Sequence, residues 1–251
     1  MISDRLMQLA IVGLVAGLTA SIFGVGGGIV MVPLLIGLLG YDTKSAAATS
    51  LAAIIFTAVV GTVSHGVLDN VNWTLGILIG LPAMLGVWVG VQIKDRISSR
   101  ALTTAFALLM LLVALRMALG STGRDLDLAM GVEVALVIAL GIVAGTMAGV
   151  FGVGGGIIFV PTFAIVLGME QLEAEATSLL AIIPVAIFGS WQNHARRLVR
   201  WHDAIAIGLI SAVTAVLGAL VAESAPERAL QVGFAVLLTA TAVQMIHRVR
   251  S

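Results

Sequence analysis

Two copies of one glycine-rich phrase are the residues of this sequence best suited to binding a ligand. The first reads FGVGGGIVMVP from Phe23, and the second reads FGVGGGIIFVP from Phe151. A glycine in a helix interior costs about 1 kcal/mol relative to alanine, so each phrase predicts a break in a helix. Where a helix restarts, its first N–H groups lack intrahelical partners and carry a partial positive charge. Glycines let an anion reach that backbone, which predicts substrate contacts at Gly26, Gly27, Gly28, Gly154, Gly155 and Gly156.

Two other roles are typical of glycine-rich segments. Small residues let membrane helices pack closely, and this packing role stays open. A nucleotide-binding loop requires a soluble strand–loop–helix unit, and the apolar runs on both sides exclude it. Pro33 and Pro161 follow the last glycine of each phrase by five residues. A proline near a first helical turn removes no hydrogen bond, so its position favours a helix that begins at the glycines.

Hydroxyl and amide side chains near these phrases are further candidates for the substrate site. Gln192 and Asn193 offer amide donors without charge at a predicted helix end. Pro184 lies inside a predicted helix, where it predicts a kink that serves as a gate. Four hydroxyls either donate to an oxyanion or bond back to a carbonyl of their own helix, and both roles stay open for Thr49, Ser50, Thr177 and Ser178.

The composition is that of an integral membrane protein. Of the 251 residues, 60% are hydrophobic and 10% are charged, and the mean hydropathy is +1.14. Soluble domains average about 25% charged residues, and a soluble chain of this composition would expose large apolar patches. A net charge of zero gives no indication of a nucleic-acid partner. The absence of cysteine excludes disulfides and thiolate metal sites, and we predict no metal and no cofactor.

The sequence is a duplication. When it is shifted by 128 positions, Phe23 falls on Phe151, and identities continue without a gap. The other matches include Gly17 with Gly145, Pro33 with Pro161, Thr49-Ser50-Leu51 with Thr177-Ser178-Leu179, Trp73 with Trp201, and Phe106 with Phe234. A repeat of this size in an apolar chain is typical of transporters built from two halves. We assign residues 1–119 to the first repeat, 120–130 to an external linker and 131–251 to the second repeat.

Each repeat contains four apolar segments. They are 7–40, 45–63, 73–92 and 101–118 in the first repeat, and 131–168, 173–191, 202–221 and 228–246 in the second. A spanning helix needs around 20 residues, and the first segment of each repeat is longer than that. Its second arm, 29–40, extends only about 18 Å. The predicted fold is therefore an all-α polytopic membrane protein, with one glycine-broken hairpin that dips to mid-membrane and three spanning helices per repeat.

Three crossings per repeat place the second repeat upside down relative to the first. With a cytoplasmic N-terminus, ten basic residues fall inside and three fall outside, namely Arg116, Arg124 and Arg228. This distribution follows the positive-inside rule. The outside connections carry acids, among which we count Glu170, Glu173, Glu175 and Glu223. The predicted localisation is the cell (inner) membrane, multi-pass, with both termini cytoplasmic.

The chain resembles the TauE/SafE family of sulfite exporters. The resemblance is carried by the duplicated GxGGGxxxxP, each copy followed by TSL and then by Trp73 or Trp201. It covers nearly the whole chain, and it implies transport of sulfite, thiosulfate or an organosulfonate. The halves differ at Ser64-His65 against Gln192-Asn193, and at Phe56 against Pro184. A pseudo-symmetric site is therefore expected, with specificity set by the unmatched positions.

The predicted function is export of sulfite or a small organosulfonate through a midplane anion site between the two broken helices. The partners are a small sulfur-containing anion and the lipid bilayer, and a homo-oligomer stays open. A passive anion channel of the same architecture is the alternative. A hydrolase built on Ser64 and His65 is disfavoured, because adjacent helical residues point about 100° apart. His65 and His194 are expected at opposite membrane surfaces. No ionisable residue is predicted mid-span, which favours uniport driven by the membrane potential.

Overall fold

The computed structural model describes residues 2–118 and 130–250, and within them every regular element is a helix. The predicted all-α class is confirmed. The ten α-helices are α1 (Ile2–Phe23), α2 (Gly28–Leu39), α3 (Thr43–Val67), α4 (Trp73–Arg96), α5 (Ser99–Ala118), α6 (Met130–Phe151), α7 (Gly156–Pro161), α8 (Gln171–Ala195), α9 (Trp201–Ser224) and α10 (Glu227–Arg250). A π-helical segment, Thr162–Val166, continues α7. The predicted linker lies outside the described residues except for its last residue.

Six of the described helices are long and apolar enough to cross a bilayer. Their spans are Asp4–Phe23, Thr43–Val67, Trp73–Lys94, Gln171–Ala195, Trp201–Ser224 and Glu227–His247. Large apolar side chains on their outer faces are exposed, including Leu85 at 65% and Val213 at 70%. Such a surface requires lipid rather than water as its neighbour. The chain is a multi-pass membrane protein, as the composition predicts.

Polar contacts define two ends of the helical bundle. At one end, Arg5 at the start of α1 meets Asp203 at the start of α9, and Tyr41 between α2 and α3 joins them. We call this the Arg5 end. At the other end, Asn70 after α3 donates to Glu223 near the end of α9, over 2.6 Å. We call this the Asn70 end, and α4 and α8 begin there.

Each glycine phrase breaks its helix, and the two arms of the first hairpin are unequal. At 1.5 Å per residue, the 22 residues of α1 extend about 33 Å and the 12 residues of α2 about 18 Å. The long arm passes the middle of the bundle, since a Cβ placed on Gly24 would collide with the backbone of Glu175, the fifth residue of α8. The tip of the first hairpin therefore lies closer to the Asn70 end than the mid-membrane position that we expected for it.

The short arms begin alike and continue differently. Pro33 is the sixth residue of α2, so it lies in the second turn rather than near the first. There it removes the N–H that would reach the carbonyl of Ile29. In the second half, α7 ends at Pro161 after six residues and gives way to the π-helical segment. A π-turn spaces its hydrogen bonds more widely than an α-helix does, so the two short arms are not superimposable.

Helices of one half pack against helices of the other. The long arm α1 lies on α9, and its counterpart α6 lies on α4. Small residues allow this close approach: a Cβ on Gly17 would stand 2.6 Å from the Cα of Ser211, and one on Gly149 would stand 2.6 Å from the carbonyl oxygen of Val87. The core helices α3 and α8 also pack together. Each broken hairpin is thus held largely by the opposite half.

Candidate functional site

The two helix restarts have glycine caps and no side-chain caps. Gly27 precedes α2 with φ 83°, and Gly155 precedes α7 with φ 94°. Both are left-handed conformations, which glycine adopts without a Cβ penalty. Neither helix start has a hydrogen bond from a capping side chain. The first backbone bonds of α2 run from the N–H groups of Val30 and Met31 to the carbonyl of Gly27, so the amides before Val30 carry the positive end of the helix.

The two glycine turns, residues 24–28 and 152–156, touch each other. A Cβ on Gly28 would stand 2.7 Å from the Cα of Val153, and one on Gly156 would stand 2.5 Å from the Cα of Val25. Each turn therefore approaches the other backbone to backbone, at a distance that no side chain permits. These are equivalent contacts with the halves exchanged.

Two isoleucines at the middle of α3 and α8 lie against this junction. A Cβ on Gly26 would stand 2.9 Å from Cγ2 of Ile54, and one on Gly154 would stand 2.9 Å from Cγ2 of Ile182. Both isoleucines are fully buried. They lie 128 positions apart, like the glycine phrases. The junction in this conformation is closed by apolar side chains and by the contact between the turns, so an anion can enter only if these groups separate.

The serine hydroxyls hold the glycine turns in place. Ser50 Oγ on α3 donates to the carbonyl of Gly152 over 2.6 Å, and Ser178 Oγ on α8 donates to the carbonyl of Gly24. Each bond joins a core helix of one half to the turn of the other. Each hydroxyl also lies within hydrogen-bond distance of a carbonyl of its own helix, that of Ala47 for Ser50 (3.2 Å) and that of Glu175 for Ser178 (2.9 Å). Its single proton is therefore shared between a turn carbonyl and a carbonyl of its own helix in this conformation.

The threonines beside them anchor the connections at the two ends of the bundle. Thr49 Oγ1 accepts from the backbone N–H of Arg200 over 3.2 Å, and Thr177 Oγ1 accepts from that of Asn72 over 2.9 Å. Both threonines are fully buried. As with the serines, each bond crosses from one half to the other. In each half, the serine of the TSL motif thus bonds to the glycine turn of the other half. The threonine of the motif bonds to a connection between two helices of the other half.

The amides of α8 lie toward the Arg5 end, beside a buried lysine. Asn193 donates from Nδ2 to the carbonyl of Gly189 and accepts from Lys94 Nζ over 2.5 Å. Gln192 is 7% exposed, and its Nε2 has no hydrogen-bond partner among the described residues. Pro184 lies on α8 between these two amides and the middle of the helix, and its ring faces Gly80 of α4.

Burial of several ionisable side chains was not predicted from the sequence. We expected Glu175 in an outside connection, but α8 begins at Gln171, and Glu175 is fully buried with the tip of the first hairpin against its backbone. His65, expected at a membrane surface, is fully buried and bonds through Nε2 to the carbonyl of Ser21. Lys94 is also fully buried. Only their positions could have indicated this burial. Each of the three residues lies within one or two turns of a predicted helix end, where a neighbouring element can cover it.

A charged cluster closes the Arg5 end. Asp203 is 2% exposed and accepts from Arg5 over 2.5 Å and from the hydroxyl of Tyr41. The guanidinium of Arg200 lies over the Tyr41 ring, 4.1 Å from its centroid. Burial, reinforced by the hydrogen bond to Asp203, raises the pKa of Tyr41 above its ordinary value. The phenol therefore stays a neutral donor that ties the α2–α3 connection to α9.

The capping residue of α3 lies next to this cluster. Asp42 accepts from the backbone N–H groups of Lys44 and Ser45, each over 3.0 Å. Partial burial alone would raise the pKa of this carboxyl, but the hydrogen bonds from Ser45 and Lys44 outweigh burial and hold it below its ordinary value. The carboxylate form thus fixes the start of the core helix that carries Ser50. Within the described residues, no three His, Cys, Asp or Glu side chains are grouped so that they would hold a metal ion.

The fold and the junction define a class of protein: a multi-pass helical membrane protein in which two similar halves present broken helices to each other. Comparison of the sequence with known families gives the particular family. The profile of the family described as sulfite exporter TauE/SafE matches residues 3–126 and 136–251. The chain belongs to this family, whose members are membrane transporters rather than enzymes.

A relative with a curated description agrees with this class. A probable membrane transporter protein of Methanocaldococcus jannaschii is 32% identical to the chain over 82 residues, which make up 31% of each protein. The match thus spans about a third of that relative's length.

Proposed function

We propose that the protein exports sulfite or a small organosulfonate through an anion site formed where the two glycine turns meet. The observation that carries this proposal is the direct contact between two uncapped helix starts inside an apolar bundle. Backbone amides and the positive end of α2 attract an anion without a fixed positive charge. Binding of this kind is reversible enough for a substrate that must leave. Membership of the TauE/SafE family supports a sulfur oxyanion as that substrate.

The substrate contacts that we propose are the turn backbones themselves, namely Gly26, Gly27, Gly28, Gly154, Gly155 and Gly156. The hydroxyls of Thr49, Ser50, Thr177 and Ser178 join them when the turns separate. In the closed conformation these hydroxyls bond to the turns or connections of the other half. Separation would release them for the anion. Gln192 and Asn193 would supply amide donors on the path toward the Arg5 end.

Transport then requires that the turns part toward one end of the bundle at a time. We propose that the Arg5 end faces the cytoplasm, that both termini lie there, and that the two halves are inverted. Basic residues near this end, among them Arg5, Lys44 and Arg200, support the orientation. The exchange of equivalent contacts between the halves supports the inversion. Pro184 is the proposed gate, because it interrupts the backbone hydrogen bonding of α8 between the junction and the amides. Ile54 and Ile182 would move with the turns.

The membrane potential suffices to drive export. An anion that leaves a negative cytoplasm gains about 2.3 kcal/mol per charge per 100 mV. No second substrate is needed for the direction of transport. This part of the proposal follows from charge alone and applies equally to a channel.

Flux into liposomes tests the proposal. Purified protein is reconstituted, and uptake of radiolabelled sulfite, thiosulfate and methanesulfonate is measured under an imposed potential, with protein-free liposomes as the control. We expect flux of at least one of these anions that saturates with concentration and reverses with the potential. Flux that does not saturate, together with unitary currents in a planar bilayer, would indicate the passive channel instead. The absence of protein-dependent flux for every sulfur anion would refute the proposal.

A further inference from the structure

A buried carboxyl lies beside the tip of the first hairpin. Glu175 is fully buried, and its backbone is so close to Gly24 that a Cβ there would collide with it. The side chain accepts a hydrogen bond at Oε1 from Nε2 of Gln171, 2.7 Å away, and Gln171 is itself 1% exposed. The other carboxyl oxygen, Oε2, and the amide oxygen of Gln171 have no hydrogen-bond partner among the described residues.

Two oxygens of this pair lack a hydrogen-bond donor. Its three side-chain oxygens all accept, and the only donor near them in the described residues is the amide nitrogen of Gln171. A buried acceptor without a donor costs about 1–3 kcal/mol, and a buried carboxylate without a cation costs more. One proton on Glu175 supplies a donor and removes the charge at the same time. The geometry therefore favours the neutral carboxylic acid in the closed conformation.

No described cation compensates a charge on Glu175. Besides Glu175, the titratable side chains that the structure describes at the Asn70 end are His65, Asp69, Glu170, Glu173, Glu223, Glu227 and Arg228. His65 is directed at the carbonyl of Ser21, while Asn70, Asn72 and Gln231 donate to Glu223, Glu173 and Glu227. Arg228 is exposed, and among the described residues neither it nor His65 forms an ion pair with Glu175.

The carboxyl is present at only one of the two glycine turns. The position 128 residues earlier is Ala47, whose backbone meets Gly152 as that of Glu175 meets Gly24. Ala47 offers no titratable group. The two turns are therefore alike in backbone and hydroxyl contacts but different in charge chemistry, and any effect of protons falls on the first turn alone.

We propose that Glu175 is a proton-binding site that decides whether an anion can pass the first glycine turn. The neutral acid leaves the positive start of α2 available to the anion, whereas the carboxylate repels the anion at close range in a medium of low dielectric constant. The proton comes from water at the Asn70 end and returns there. This inference rests on the proposed function, because it places the anion path at the same turn. The competing occupant of this pair is Na⁺, which needs more oxygen ligands than the two that lack a partner here.

Anion flux at varied pH tests the proposal with a probe whose own charge is constant. Methanesulfonate and thiosulfate stay fully ionised, so flux of whichever anion is carried is measured while the pH at the Asn70 end is raised. For one proton we expect wild-type flux to fall about tenfold per pH unit on the alkaline side. Glu175→Gln should show no pH dependence and keep the acid-side rate. Glu173→Gln, a partly exposed carboxylate two residues away, should keep the wild-type profile.

A spectroscopic measurement needs no transport and separates the two proposals. The infrared carbonyl band of a buried carboxylic acid, which shifts in D₂O, should be present in the reconstituted wild type at neutral pH and absent from Glu175→Gln. If no anion is carried but this band is present, the proposed function fails and the proton site stands. If flux occurs with the same pH profile in Glu175→Gln, or depends on Na⁺ instead, or if the band is absent from the wild type, the proton site is wrong.

Discussion

Alanine at Gly26 should stop transport, while alanine at Gly40 should not. Both glycines have φ 67°, so both substitutions carry the same left-handed backbone penalty of about 1–2 kcal/mol. They differ in surroundings. A Cβ at Gly26 would stand 2.9 Å from Cγ2 of Ile54 and 3.5 Å from Cγ2 of Ile182, whereas a Cβ at Gly40 would have no neighbour within 4 Å.

The steric difference sets the expected magnitudes. A contact of 2.9 Å to a β-branched side chain requires a shift in a packed core, and such overpacking costs about 1–3 kcal/mol. Gly26→Ala should therefore lose about 2–5 kcal/mol of stability in total and Gly40→Ala about 1–2 kcal/mol. Thermal unfolding in detergent measures the difference. Flux in liposomes should fall at least tenfold for Gly26→Ala, because the new methyl group lies where the anion must pass.

A double variant tests whether space is the cause. Ile54→Ala removes the Cγ2 that the new Cβ would meet, so Gly26→Ala combined with Ile54→Ala should recover part of the lost stability, a coupling that a double-mutant cycle measures. If Gly26→Ala transports at the wild-type rate, the anion does not pass between the turns. If Gly40→Ala loses as much flux as Gly26→Ala, the effect comes from backbone strain, and the reasoning from the junction fails.

Two further substitutions test the contacts that hold the halves together. Ser178→Ala removes a side-chain donor from the buried carbonyl of Gly24 and should cost about 1–3 kcal/mol. The control is Ser224→Ala, at an exposed serine that bonds within its own helix, which should change the free energy of unfolding by less than about 0.5 kcal/mol. Equal melting temperatures for the two variants would show that Ser178 does not hold the turn. Asp203→Ala should cost about 1–3 kcal/mol, because it leaves the buried hydroxyl of Tyr41 without its acceptor. Asp203→Asn, which keeps an acceptor, should cost less in the same thermal unfolding assay, and an equal loss would assign the effect to the ion pair with the half-exposed Arg5.

Several features of the fold follow from linear patterns. Apolar runs of spanning length, with few charges, predict membrane helices whatever their neighbours are. The glycine phrases predict helix breaks because the propensity penalty is local. The shift of 128 positions also predicts that contacts occur in equivalent pairs, such as Ser50 with Gly152 and Ser178 with Gly24.

The surroundings of the polar side chains were decided by tertiary structure alone. Glu175 reads as a residue at an outside helix end, and it is buried because α1 extends past the middle of the bundle and lays its glycine tip on α8. Lys94 is one of the ten basic residues counted on the inside, yet it lies fully buried against Asn193. Hydropathy and spacing determine the position of a residue along its own helix. Whether its side chain is buried depends on which helix of the other half packs against that position. That pairing is set by long-range packing between small residues, and it places one carboxyl beside one of two otherwise equivalent turns.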